Sequence, residues 1–223
     1  MQENGSNRIT DQTVSPSGSK PQFRVRQIKS LTDSGVPGFI KVYQEAFAGP
    51  PYFENYSAQW VTENILIPHL PYWVGIAETD AEGVIAFSCA HPVATDATPE
   101  ATDFLFAQSA DQIPFDLNTS AYGSELASLK SVRKLGVGAH LTSCLFRWAA
   151  DNGYPTVVMR TAEQGSNSIR LLQRAGAKLL PFVQDVAGHG AIESQSERRV
   201  WLYIETKPFA GFDMNPSDNS AQP

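Results

Sequence analysis

Between Glu125 and Trp148 the residue pattern changes character twice, and this restricts what the chain can fold into more than any other stretch. It opens with an aliphatic run suited to a sheet and passes through Gly136 and Gly138. It then continues with Val137, Leu141, Cys144, Leu145 and Trp148 at helical spacing. A strand, a tight turn and an amphipathic helix follow from that order.

Such a turn is suited to an anion. The first N–H groups of a helix lack internal partners, and the helix dipole places its positive end there. Gly136 and Gly138 let backbone approach a ligand closely, and Arg133 and Lys134 add charge at the same place. A phosphate or pyrophosphate is the expected guest. A nucleotide P-loop would need Lys and Ser or Thr after its second glycine, whereas Gly138 is followed by Ala139 and His140. A dinucleotide fingerprint would need a third glycine where Leu141 stands.

The run Arg133-Lys134-Leu135-Gly136-Val137-Gly138-Ala139 resembles the Arg/Gln-x-x-Gly-x-Gly/Ala signature of the GNAT superfamily of acyl-CoA-dependent N-acetyltransferases. The preceding Glu125-Leu126-Ala127-Ser128 resembles its acyl-CoA-binding strand. Ser168-Ile169-Arg170 through Gly176 resembles its next helix, with a strand candidate at Thr156 to Arg160 between the two. The resemblance implies an α/β fold with a mixed, largely antiparallel central sheet and flanking helices. It also implies acetyl-CoA as co-substrate.

Composition narrows the surroundings. At 223 residues the chain can bury one α/β core. The formal charge of −6 leaves no basic surplus for nucleic acid. It mildly favours a cationic or neutral acceptor, and solubility accounts for it equally well. Cys89 and Cys144 sit among apolar residues and read as buried thiols in a reducing compartment. No apolar run reaches the length of a membrane span and no hydrophobic signal core is present, so the expectation is a cytoplasmic protein.

In chain order, residues 1–20 read as a disordered leader, 21–207 as one domain and 208–223 as a flexible tail. Within the domain, Gln22 to Lys29 reads as an edge strand and Val36 to Ala48 as a helix. A second helix runs from Ser57 to Ile67, ended by Pro68, and Tyr72 to Glu78 pairs with Val84 to His91 as a hairpin. Residues 92–122 form an insertion with a short helix over Pro99 to Ala110, suited to covering the acceptor site or packing on another subunit. Lys178 to Phe182 and Arg199 to Glu205 read as strands joined by a loop over Gln184 to Glu197.

Acetyl transfer to an amine requires a held thioester, an aimed neutral amine, and stabilisation of oxyanion and thiolate. By resemblance, the backbone of Leu126, Ala127 and Ser128 would pair with the pantetheine arm. Arg133 and the amides of Lys134, Leu135, Gly136, Val137, Gly138 and Ala139 would hold the pyrophosphate. Glu125 is the candidate general base, with Glu54, His91 and Asp116 as alternatives. Tyr52, Phe53, Glu54 and His91 are candidate acceptor-site residues. The resemblance expects a proton-donating Tyr where Leu172 stands and an Asn where Gly165 stands, with Asn167 close but shifted. Tyr122, a neighbouring hydroxyl or water is left as the acid. His69 and His189 lack ligand-spaced partners, so no metal site is expected.

The reading is an N-acetyltransferase acting on the primary amine of a small-molecule or amino-acid-like acceptor, by direct attack in a ternary complex. The alternatives are a non-catalytic CoA-binding or regulatory module and a protein or peptide N-acetyltransferase. The oligomeric state is open, with a homodimer allowed through a free strand or helix edge.

Overall fold

The computed structural model describes residues 22–49, 53–164, 168–187 and 196–209. The expected leader over 1–20, the candidates Tyr52 and Asn167, His189 and all of the expected tail beyond Phe209 lie outside the described residues.

Seven strands form one sheet: β1 (Arg24–Gln27), β2 (Trp73–Thr79), β3 (Gly83–Pro92), β4 (Ala121–Ser128), β5 (Thr156–Ala162), β6 (Lys178–Ala187) and β7 (Ser196–Glu205). Their spatial order is β1-β2-β3-β4-β5-β7-β6, and every neighbouring pair is antiparallel except β4 with β5. The sheet is therefore mixed and largely antiparallel, as expected. β1 is an edge strand, and Arg24 and Arg26 on it both reach Glu78 of β2, at 2.8 and 2.9 Å.

Helix α1 (Val36–Phe47) forms because Val36, Phe39, Val42 and Tyr43 recur on one face, with Pro37 in the first turn where its missing N–H costs nothing. That face covers β3, where the Phe39 and Phe87 rings lie 4.2 Å apart. Each such side chain fully removed from water contributes about 1.5–3 kcal/mol. On the other side, α5 (Val137–Asp151) buries Val137, Leu141, Cys144, Leu145 and Phe146.

The second helix differs from the expectation. Ser57 caps it as read, its Oγ accepting the Trp60 N–H at 3.1 Å. Pro68 does not end it: α2 (Ala58–Val61) runs into a π-helical turn (Thr62–Leu66) and then α3 (Ile67–His69). Pro68 has no N–H for the usual bond one turn back, and the wider turn, with Ile67 N–H going to Thr62, accommodates its ring. The helix thereby continues through α3 to its last residue, His69, which is fully buried.

The insertion begins after Pro92 and ends before Ala121, since β3 and β4 are each longer than the expected bounds. Its helix α4 (Pro99–Phe106) packs on the chain's own sheet: Phe104 stacks on Trp201 at 5.9 Å, and Leu105, Tyr122, Val158 and Leu180 share its cluster. The expected loop over Gln184 to Glu197 is a second correction. Strand β6 continues to Ala187 and β7 starts at Ser196, because backbone pairing such as Asp185 opposite Arg198 overrides the polar composition. After α6 (Ser168–Arg174), Gly176 takes a positive φ of 98°, as a helix-ending glycine should. Of the expected frayed tail, Pro208 and Phe209 instead continue a turn from Lys207, with the Phe209 ring 5.0 Å from Phe146.

Candidate active site

The parallel pair at the centre of the sheet is short. β4 and β5 are in register only over Ala121 to Gly123 and Val157 to Met159. Beyond that rung β4 stays with β3, and β5 stays with β7. The sheet forks. Gly123 sits at the crotch, where a Cβ would come within 2.9 Å of Met159 Cγ, so a larger residue there would have to displace the Met159 side chain. Leu126, Ala127 and Ser128 pair with Ser88, Phe87 and Ala86 on one side and, among the described residues, carry no strand on the other. An open backbone edge is what an extended ligand arm needs.

The fork leads to the α5 N-terminus. Gly136, the residue before the helix, has φ 88° and ψ −6°, and Lys134 has φ 69°. Left-handed residues in such a loop turn successive N–H groups toward one concavity. The amides of Lys134, Gly136, Val137, Gly138 and Ala139 have no backbone acceptor among the described residues, whereas His140 N–H already returns to Gly136, and the Leu135 amide, also expected in the cradle, is instead taken by Val132 O at 3.3 Å in the turn before it. Arg133, Lys134, Leu135, Gly136 and Ala139 are exposed, Gly138 is half-buried and Val137 is buried. Among the described residues, no side chain fills the corner: nothing lies within 4 Å of a Cβ built on Gly136, and only Leu171 approaches that of Gly138, at 3.9 Å.

At the mouth of the fork lies a pocket lined by Phe47, Ser124, Glu125, Arg160, Arg199 and Leu172, among others. Burial pushes the Glu125 carboxyl up to about 7, against the pull of the Arg199 and Arg160 charges, while Glu54 pushes in the same direction as burial. A carboxylate poised near neutrality can accept a proton from an incoming amine. Tyr43, buried, is raised first by burial and then by Glu125, and Tyr56 first by burial and then by Glu54. Glu54 and Glu125 thus share an aromatic enclosure with Tyr43 and Tyr56.

Four of the sequence candidates are placed elsewhere. Tyr122 is fully buried between His91 and Trp201, with ring distances of 5.4 and 5.7 Å, and is not in the pocket lining. His91 is buried with Nδ1 2.7 Å from Pro92 O and Nε2 2.7 Å from Thr98 Oγ1. Phe53 is 43% exposed and has a positive φ of 53°. Asp116 caps the turn Leu117–Thr119 within the insertion. Leu172 does line the pocket, so no phenol comes from that position. Among the described residues, no group of three or more His, Cys, Asp or Glu is placed to hold a metal ion, and no helix is long and apolar enough to cross a membrane.

Solved structures share this architecture. A GCN5-related N-acetyltransferase from Kribbella flavida superposes with a TM-score of 0.53 at 13% identity, over 82% of this chain and 97% of that one. The chain has the GNAT fold. A ribosomal-protein-alanine N-acetyltransferase from Brucella melitensis matches with a TM-score of 0.57 at 14% identity, covering 81% and 98% of the two chains. A Salmonella typhimurium protein solved with its cofactor acetyl-CoA matches at 0.56 and 15%, covering 82% and 94%. No family model and no curated protein matches the chain. On this GNAT fold, the sequence reading missed Ser124, Arg160 and Arg199 in the pocket, and His69 behind Ser124. Arg199 was legible as the polar phase of an alternating strand. The meeting of His69 with Ser124, far apart in sequence, left no local signal.

Proposed function

We propose that the chain is an N-acetyltransferase that moves an acetyl group from acetyl-CoA to the primary amine of a small-molecule or amino-acid-like acceptor, by direct attack in a ternary complex. One observation carries the reading: the β4/β5 fork joins an open strand edge, a cluster of free amides and a carboxylate poised near pH 7.

The residues fit acetyl-CoA. The free edge at Leu126, Ala127 and Ser128 would pair with the pantetheine arm, and the amides of Lys134, Gly136, Val137, Gly138 and Ala139, with Arg133, would hold the pyrophosphate. When bound, acetyl-CoA supplies the activated acyl carbonyl. Glu125 takes the first proton from an acceptor ammonium entering past Glu54, Tyr56 and Phe47. Arg160 and Arg199 keep Glu125 ionised for part of the time despite its burial.

A CoA-binding module without catalysis is the second reading, favoured by Leu172 where the resemblance expects a phenol. Calorimetry with acetyl-CoA and thiol release with a panel of amines separate the two. Turnover stimulated by a small amine supports the enzyme. Binding without turnover across the panel supports the module, and turnover only with peptide N-termini would replace the acceptor class. Absence of binding at high micromolar acetyl-CoA would remove both.

A further inference from the structure

A buried imidazole stands behind the pocket, unused by the chemistry above. His69 is fully buried, with Nδ1 2.6 Å from Ile65 O and Nε2 2.7 Å from Ser124 Oγ. A carbonyl oxygen only accepts, so Nδ1 carries the hydrogen. Burial lowers the His69 pKa to about 4, with neighbouring His91 adding to the effect, so the ring is neutral and Nε2 is a bare lone pair. Ser124 must then donate to His69. Its 3.3 Å contact with Cys89 O cannot use the same proton.

The polarity has a consequence for the pocket. With its hydrogen directed inward, Ser124 presents oxygen lone pairs to whatever occupies the cavity it lines. A register slip in the β3/β4 ladder, where Cys89 faces Glu125 and Ala90 faces Gly123, leaves Ser124 without a partner across the strands. The slip also breaks the strict alternation of side chains, so Ser124 and Glu125, consecutive in sequence, both line the pocket.

Amine acetylation requires two protons to be moved. An alkyl ammonium loses one before attack and a second after the N–C bond has formed, and the departing sulfur needs one. Glu125 accounts for the first only.

We propose that Ser124, positioned by His69, carries the second proton from the reacting amine to the leaving sulfur, in place of the phenol missing at Leu172. This rests on the acetyl-transfer reading. Ser124 Oγ accepts the N–H proton while its own proton passes to His69 Nε2. The C–S bond breaks with its electron pair remaining on sulfur. His69 then returns its proton to Ser124, and Ser124 gives one to the sulfur. Both residues end as they began, the amine is one proton poorer and the thiolate has become a thiol. Ser124 is the catalytic residue and His69 a positioning residue acting through it. An imidazolium as acidic as that of His69 holds the proton only in passing.

The test uses the full chain, acetyl-CoA and an amine that the wild type acetylates. Ser124→Ala should lower kcat about 100-fold with acetyl-CoA affinity unchanged by calorimetry, and Ser124→Thr should recover most of the loss. His69→Gln, whose carbonyl can accept from Ser124 but cannot hold a proton, should resemble Ser124→Ala and serves if that variant fails to fold. In mixtures of light and heavy water the wild-type kcat should depend on deuterium fraction along a curve, and either variant along a straight line. A kcat within about twofold of wild type in folded Ser124→Ala overturns the proposal. So does a loss that Thr does not recover and that leaves the isotope curve unchanged, which would make the bond a structural latch. A wild type that binds acetyl-CoA and releases no thiol with any amine removes the underlying reading, and this one with it.

Discussion

The Arg160 guanidinium holds the Glu100 carboxylate through two hydrogen bonds, Nη1 to Oε1 at 2.9 Å and Nη2 to Oε2 at 2.8 Å. Arg160 is on β5 beside the fork, and Glu100 is in the first turn of α4 in the insertion. Gln184 of β6 joins both, accepting from Arg160 Nη1 at 3.0 Å and donating to Glu100 Oε1 at 2.9 Å. The pair therefore fastens the insertion to the sheet and fixes a cation next to the pocket. Its energetic weight is uneven, since the Arg160 side chain is 11% exposed and Glu100 54%.

Glu100→Ala should therefore cost about 1–2 kcal/mol, the range of a charged hydrogen bond reduced for solvent at the carboxylate. Urea unfolding measures it. The same change removes the negative charge nearest Arg160, so the cation acts more strongly on Glu125 and lowers its pKa. The midpoint of the pH–rate profile should move to lower pH. An unmoved midpoint in a folded variant would show that Arg160 is too far or too screened to tune Glu125.

The Glu125 carboxyl, raised to about 7 by burial, sets two pH dependences of opposite sense. With Glu125 as the proposed base, the carboxylate is the active form, so kcat/KM should rise with pH and level off above about 7. Glu125→Gln should abolish that limb and lower the rate about 100-fold. Stability runs the other way. The folded protein binds the Glu125 proton more tightly than the unfolded chain, whose ordinary value is 4.5. The contribution is fully present below 4.5 and is lost as pH rises through about 7. Glu125→Gln should therefore be more stable than wild type at pH 8 and lose that advantage near pH 4. Thermal melts at the two pH values give the sign, and equal melting temperatures at pH 8 would contradict the burial of this charge.

Local pattern accounts for much of what the sequence revealed. The strand, glycine turn and helix around Gly136 are a contiguous code, and Val36 to Phe47 declares its buried face by spacing alone. The ends of β6 and β7 were hidden because ladder pairing, not composition, extends them through polar residues such as Gln184 and Asp185. Pro68 misled because a π-helical turn absorbs the ring that normally stops a helix. Pocket residues on separated strands, Arg160 and Arg199, became neighbours only once β5 and β7 paired, Arg160 lying opposite Trp201. The fork itself has no motif. It is the absence of pairing beyond Gly123, and absence of pairing leaves no periodicity to read.

Gly136 tests whether the α5 N-terminus is the anion cradle. At φ 88° a side chain is strained whatever the room around it, and nothing lies within 4 Å of the position its Cβ would take. Gly136→Ala therefore meets no steric block and pays only the backbone cost, about 1–2 kcal/mol. The loop can relieve that cost by rotating its dihedrals, which turns the amides of Val137 and Gly138 away from a shared focus. Acetyl-CoA affinity should fall about tenfold, equivalent to ~1.4 kcal/mol. Dephospho-CoA should lose as much, because it keeps the pyrophosphate, while Glu125→Gln should leave both affinities unchanged. Calorimetry on the two variants separates cradle from chemistry, and unchanged acetyl-CoA binding in Gly136→Ala would place the pyrophosphate elsewhere.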